Sequence, residues 1–318
     1  MASRKARHRG LAAWLGRIAA AAAAGYLGYI SVEGSRRVVR PGRRALEPDV
    51  EGGPATPADI GLPYEEVRFT TDDGVTLSGW LIPAERETRG AIVLLHGFSG
   101  HRLPQLLAFV PWLRTRYHIL QIDFRGHGAS GDAPITLGTS EQRDVAAAVH
   151  LLQGRGLGPI ALMGISMGAS VAIMAAPDLP VAAVVADAPY AQLHNPIANR
   201  MREHGYPLAG IGARLVVAAA SLRARVRLRD PLARVPGIAP RGLLLIAPRE
   251  DRLIDWTQSE RLYEAAAEPK ELMVVDGAAH SDAHAVEPME YERRVLAFLG
   301  RYLDGGAPPA SIGAEAPV

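Results

Sequence analysis

Residues Pro159 to Ala176 read PIALMGISMGASVAIMAA, and this stretch decides the fold. Pro159 to Met163 is a short, continuously apolar run, the pattern of a strand covered on both faces. Gly164-Ile165-Ser166-Met167-Gly168 follows, and the helical pattern of Ala169 to Ala176 comes directly after it. A G-x-S-x-G pentapeptide between a strand and a helix marks a strained turn that raises a serine hydroxyl above a sheet, with glycines where backbone must pass close to backbone. Without those flanks the five residues would read only as a serine N-cap after a glycine turn. Ser166 is therefore the candidate nucleophile, and Gly164 and Gly168 are its supports.

Outward from this turn, short apolar runs alternate with longer helical patterns. Strands are expected at 66–70, 76–82, 91–95, 118–122, 159–163, 181–186, 243–246 and 271–275, and helices at 103–116, 140–153, 167–176, 257–267 and 286–303. Asp72-Asp73-Gly74 joins the first two strands as a hairpin, and the strand-helix-strand order beyond it implies an α/β domain with a mostly parallel, eight-stranded sheet. Between Asp187 and Arg241 the alternation fails over about 50 residues, too many for a bare loop in a compact domain. A helical lid is expected there, at about 188–240. Its Tyr190, His194, Met201, His204, Tyr206 and the apolar run Leu215 to Ala220 suit an acyl pocket. Its arginines at 200, 202, 214, 223, 225, 227 and 229 suit either anionic headgroups or plain solvent.

A serine hydroxyl is hardly ionised at neutral pH and needs a base, itself oriented by an acid. The run 243–246 leads into Ala247-Pro248-Arg249-Glu250-Asp251, and the last expected strand leads into Asp276-Gly277-Ala278-Ala279-His280. Both loops leave the carboxyl ends of strands, where open α/β sheets bind ligands. His280 is the candidate base and Asp251 the candidate acid, with Asp255, Glu250 and Asp187 as rivals. After the run 91–95 come His96-Gly97-Phe98, placed so that the backbone N–H groups of Phe98 and Met167 converge as an oxyanion hole. His96 and Gly97 are expected to shape that loop. Asp123 to Ser130, after the next strand, reads as a structural turn.

Composition narrows the chemistry. The 318 residues contain no cysteine, which excludes a disulfide framework, thiolate-bound metals and a cysteine nucleophile. No H-E-x-x-H spacing occurs, and neither a G-x-G-x-x-G nor a P-loop motif follows a strand, so no metal and no cofactor are expected. The net charge of +2 hides an asymmetry: residues 1–50 hold 10 of the 35 basic and 3 of the 33 acidic residues. The remainder carries 25 basic against 30 acidic, a net of −5, which is no footprint for nucleic acid.

Residues 1–10 are a basic segment, and residues 11–32 carry Arg17 as their one charge. That length suits a single-pass membrane anchor; the apolar part of a cleaved signal peptide, which would leave a secreted protein, and a peripheral helix are the alternatives. Basic residues on both sides leave the orientation open. Residues 33–63 read as a linker, 64–303 as the catalytic domain and 304–318 as a disordered tail. Every candidate catalytic group lies between His96 and His280, so the linker is expected to carry little structure from the anchor to the sheet.

Together, His96-Gly97-Phe98, Asp123 to Ser130, Gly164 to Gly168, Asp251 and His280 resemble the α/β-hydrolase superfamily over residues 64–303. Pro63 to Val67, Asp73-Gly74 and Leu77 to Trp80 further resemble membrane-anchored bacterial members of the serine aminopeptidase-like or monoglyceride-lipase-like group. The resemblance implies a Ser166-Asp251-His280 triad, amides of Phe98 and Met167 as the oxyanion hole, and a lid that sets specificity. It departs at Pro248 and Arg249, where family members usually carry a glycine shortly before the acid. The implied activity is cleavage of a small or lipid carboxylic ester through an acyl-enzyme. An aminopeptidase, an acyl-thioesterase and a non-catalytic, membrane-tethered binding protein are the alternatives.

Overall fold

Five consecutive apolar runs build the centre of the sheet, and their residues are buried almost without exception because helices cover both faces. The computed structural model describes the backbone of residues 2–48 and 53–305, with side chains from Trp14 onward; the expected tail lies, from residue 306, outside the described residues. The strands are β1 (Glu65–Thr70), β2 (Thr76–Ile82), β3 (Ala91–Leu95), β4 (His118–Ile122), β5 (Ile160–Ile165), β6 (Ala183–Asp187), β7 (Gly242–Pro248) and β8 (Lys270–Val275). They form one eight-stranded sheet in the order β1-β2-β4-β3-β5-β6-β7-β8. Only β2 runs against its neighbours; β3 to β8 are parallel.

Alternation along each strand divides the core in two. Val93, Leu95, Leu162, Val184 and Leu245 face one side and pack with α4 (Glu141–Gly154) and α5 (Met167–Ala175). Ile92, Leu94, Met163, Val185 and Leu244 face the other and pack with α2 (Leu103–Ala108), α3 (Val110–Leu113) and α10 (Pro288–Leu303). The helix expected over 103–116 is broken at Phe109 because Pro111 has no N–H to continue the ladder. Pro288 starts α10 at a position where a missing N–H costs nothing, after a short α9 (Ala283–Val286). α8 (Thr257–Ala265) links β7 to β8.

The insertion between β6 and β7 is helical as expected, with α6 (His194–Glu203), α7 (Ala209–Ala224) and two 3-10 turns.

The N-terminal arm departs from expectation. α1 runs from Ala2 to Val39, so residues 33–39, read as the start of a linker, continue the helix until Pro41 and Gly42 end it. Val39 is 2% exposed and belongs to the core; its carbonyl accepts the Ile135 N–H at 3.0 Å. Arg40 pairs with Asp132 at 2.9 Å. The arm is therefore docked on the body, contrary to the reading that it carries little structure to the sheet. A close helix crossing is the reason: a Cβ on Gly34 would lie 2.6 Å from Val216 Cγ2 on α7, so only glycine lets the two helices meet.

Candidate active site

Ser166 sits between β5 and α5 at φ 55°, ψ −115°, a left-handed conformation that costs a β-carbon-bearing residue about 1–3 kcal/mol. Its neighbours hold it there. A Cβ on Gly164 would lie 2.3 Å from the Gly168 carbonyl, and one on Gly168 would lie 2.2 Å from Leu95 O, so both glycines are sterically required. The Ser166 N–H donates to Asp187 O at 2.8 Å, tying the turn to the end of β6.

The loops after β7 and β8 bring Asp251 and His280 to this serine. His280 Nε2 lies 3.0 Å from Ser166 Oγ, and His280 Nδ1 lies 2.6 Å from Asp251 Oδ2. The other oxygen, Asp251 Oδ1, accepts the Leu253 and Ile254 N–H groups, each at 2.8 Å. The carboxylate is buried, and both its oxygens are occupied. The rival acids lie elsewhere. Glu250 is exposed, and Asp255 accepts the Thr257 N–H and hydroxyl at the start of α8. Asp187 is fully buried beneath the serine; it accepts the Tyr291 hydroxyl at 2.9 Å, and burial pushes its carboxyl up to about 7.

The loop after β3 abuts the same turn. A Cβ on Gly97 would lie 3.6 Å from Ser166 Cβ, which places Phe98 beside the serine. His96 fixes the loop: its Nδ1–H donates to Gly97 O at 2.7 Å while Nε2 accepts the Phe124 N–H at 3.0 Å. Burial, with His127 nearby, lowers its pKa to about 3, so this imidazole stays neutral and structural. Asp123 to Ser130 is also structural. Asp123 accepts from the Arg102 backbone, the Arg102 guanidinium and the Ala129 N–H, and a Cβ on Gly128 would lie 2.2 Å from Asp123 Oδ2. Among the described residues, no three His, Asp or Glu side chains gather as metal ligands would.

Ser166, Met167 and Phe98 line a cavity of about 680 Å³. Tyr190, Ile197 and Met201 of the insertion form part of its wall. α1 forms a further part through Ile30, Gly34 and Val38, with Leu137, Leu253 and Ile254 of the body completing the lining. Reading of the sequence missed the α1 part, although the spacing of Ile30, Gly34 and Val38 on one helical face carried the signal.

The sequence profile of the alpha/beta hydrolase family matches residues 92–294. A relative from Mycobacterium tuberculosis strain H37Rv is 32% identical over 242 residues, covering 74% of this chain and 79% of that protein. YfhR of Escherichia coli K12 is 29% identical over 230 residues, covering 69% and 74%. Among solved structures, the Pyrococcus furiosus esterase Pf2001 superposes with a TM-score of 0.68 at 30% identity, covering 82% of this chain and all of its own. The alpha/beta hydrolase GrgF from Penicillium sp. sh18 gives 0.63 at 27% identity, covering 77% of this chain and all of its own. With the sheet order, the strained turn and a family profile spanning most of its length, this chain belongs to the alpha/beta hydrolase family.

Proposed function

We propose that this hydrolase cleaves a carboxylic ester through an acyl-enzyme intermediate. The observation that carries the reading is His280, bridged between Ser166 Oγ at 3.0 Å and Asp251 Oδ2 at 2.6 Å. In the first half-reaction His280 Nε2 takes the hydroxyl proton as Ser166 Oγ attacks the ester carbonyl carbon. The oxyanion accepts hydrogen bonds from the Phe98 and Met167 backbone N–H groups, each such donor contributing about 3 kcal/mol to the transition state. Collapse breaks the C–O bond, and the imidazolium returns its proton to the departing alcohol. In the second half, His280 takes a proton from water, hydroxide attacks the acyl carbon, and the acid leaves as Ser166 regains its proton. Asp251 holds the Nδ1–H tautomer throughout and stays ionised.

The same steps would serve a peptide or a thioester. The apolar cavity and the likeness to an esterase at 30% identity favour an ester. Residues 11–32 serve as a membrane anchor in this reading, since Trp14, Leu15 and Ile18 are exposed on α1 and lack a protein partner that would bury them. A panel of p-nitrophenyl esters, aminoacyl anilides and acyl thioesters, run beside fluorophosphonate labelling of wild type and Ser166→Ala, tests the assignment. Labelling and ester turnover should vanish together in the variant. A chain that turns over no ester and takes no label would instead be a binding protein.

A further inference from the structure

The wall that α1 gives to the cavity is a built surface. Tyr29, Ile30, Glu33, Gly34, Arg37 and Val38 all line the cavity and recur at the i, i+4 spacing of one helical face. At 1.5 Å per residue, the wall runs about 13 Å along the helix. Ile30 is buried at 6% and Val38 half-buried on this face, whereas Tyr29 is 68% exposed and Arg37 is exposed.

α7 of the lid lies beside α1 and runs the same way. The Tyr26 hydroxyl donates to Pro207 O at 2.9 Å, Gly34 meets Val216, and Arg223 donates to Ser35 Oγ at 3.2 Å. The start of α7 therefore sits where α1 leaves the body. The lid is apolar and bare at that point: Tyr206, Leu208, Ile211 and Leu215 are 39% to 51% exposed, the last three on one side of the helix. Beyond the Tyr26–Pro207 contact, the helix from Leu11 to Gly25, with Arg17 as its one charge, rises about 22 Å, against the roughly 30 Å hydrocarbon core of a bilayer. An anchor seated at that depth puts the bare lid tip and the outer end of the cavity wall at the lipid surface.

We propose that the cavity is an acyl-chain site supplied from the bilayer: a long-chain carboxylic ester slides between α1 and the lid tip and lays its chain along the Tyr29–Val38 face, with its carbonyl at Ser166. α1 is then a specificity-determining element as well as an anchor. The inference rests on the serine-esterase reading and adds the substrate class and its path.

The test uses the full-length protein in phosphatidylcholine vesicles, with p-nitrophenyl palmitate dissolved in the same vesicles and p-nitrophenyl acetate in solution. Gly34→Leu pushes α1 off α7 and should lower the palmitate-to-acetate ratio of kcat/KM by about tenfold or more, the scale on which apolar pockets discriminate. Val216→Ala in the same chain removes the two methyls nearest that β-carbon and should bring the ratio part of the way back toward wild type. Ile211→Asp with Leu215→Asp lies outside the cavity wall and should lower turnover of vesicle-borne palmitate by about tenfold relative to acetate, because carboxylates resist seating in lipid. Fluorophosphonate labelling of Ser166 reports that each variant is folded. A ratio unmoved in Gly34→Leu, a loss that Val216→Ala does not lessen, or an unmoved ratio in the lid-tip variant overturns the proposal. If Ser166→Ala keeps both activities, the esterase reading itself fails; if it loses both while the ratios stay put, only the α1 assignment fails.

Discussion

The two sides of the cavity are made by opposite means. The Ser166 side consists of tight turns at the carboxyl ends of parallel strands, fixed by hydrogen bonds to backbone, such as that of the Ser166 N–H to Asp187 O at the end of β6. Asp251 is held by the N–H groups of residues 253 and 254. The α1 side is made by a contact between segments some 180 residues apart in sequence, such as Tyr26 with Pro207. Chemistry therefore sits on the part of the fold with the steepest local constraints, and shape sits on a helix pair that closes through glycine and small side chains. A change on the first side should act on kcat for every substrate. A change on the second should act on which substrate is accepted, and on stability.

Ser166→Ala breaks the first side outright. It deletes one oxygen from a preformed turn, so turnover of every ester should fall by about 10⁶-fold with the melting transition little changed, a loss seen where triad members act as a unit. Equal palmitate and acetate losses in a kcat/KM comparison would place the residue on the chemical side; retained turnover of either would remove it from the mechanism.

Asp251→Asn comes next. The amide cannot hold the Nδ1–H tautomer of His280, and kcat should fall by up to about 10⁴-fold. His280 remains 3.0 Å from Ser166, so slow fluorophosphonate labelling should survive, and stopped-flow measurement of the acylation burst would resolve it. If the variant is silent, the carboxylate that faces His280 is not the working acid.

Removing residues 1–50 tests the second side. A linker that carries little structure to the sheet would leave the body unharmed, but the truncation strips partners from Val216 and Gly212 and removes Ile30 and Val39, both buried. At about 1.5–3 kcal/mol per buried aliphatic side chain, the body should lose roughly 3 kcal/mol or more of stability. Urea unfolding of the truncated and full-length proteins in the same detergent measures this. Equal midpoints would mean that the α1 contacts contribute nothing.

These contrasts also mark where the sequence could be read. β2, β3 and β4 match their expected limits residue for residue, because charge, glycine or proline stands within two residues of each end. Ser166, Asp251 and His280, which the structure brings together, could be picked out because each sits in a short loop directly after an expected strand. The break at Phe109 was hidden by an unbroken apolar pattern, although Pro111 was there to be weighed. The last turns of α1 were hidden differently: Glu33, Arg36 and Arg37 made the segment look like a polar linker, while those charges pair with one another on the helix surface. Ile30, Gly34 and Val38 lie at helical spacing between them, and a long-range partner was needed to give that spacing meaning.

The smallest expected effect sharpens the boundary between the two sides, at Asp187. Its backbone carbonyl holds the Ser166 N–H, yet its side chain turns to Tyr291 and not to His280. Asp187→Asn keeps that hydrogen-bond acceptor and should change kcat by less than about fivefold, far less than Asp251→Asn. The variant should instead alter stability against pH. Burial raises the folded carboxyl to about 7 from its ordinary 3.8, so the folded protein binds a proton that the unfolded chain has already released across that interval. Stability should then fall as pH rises from about 4 to about 7, since the slope follows the difference in bound protons between unfolded and folded states. Asparagine cannot titrate and removes this contribution. Unfolding midpoints of wild type and Asp187→Asn should therefore converge near pH 4, and the variant should be the more stable by a few kcal/mol at pH 8. Parallel curves across that range would mean that the carboxyl beneath the serine does not take up a proton on folding, and a collapse of kcat would return Asp187 to the chemical side.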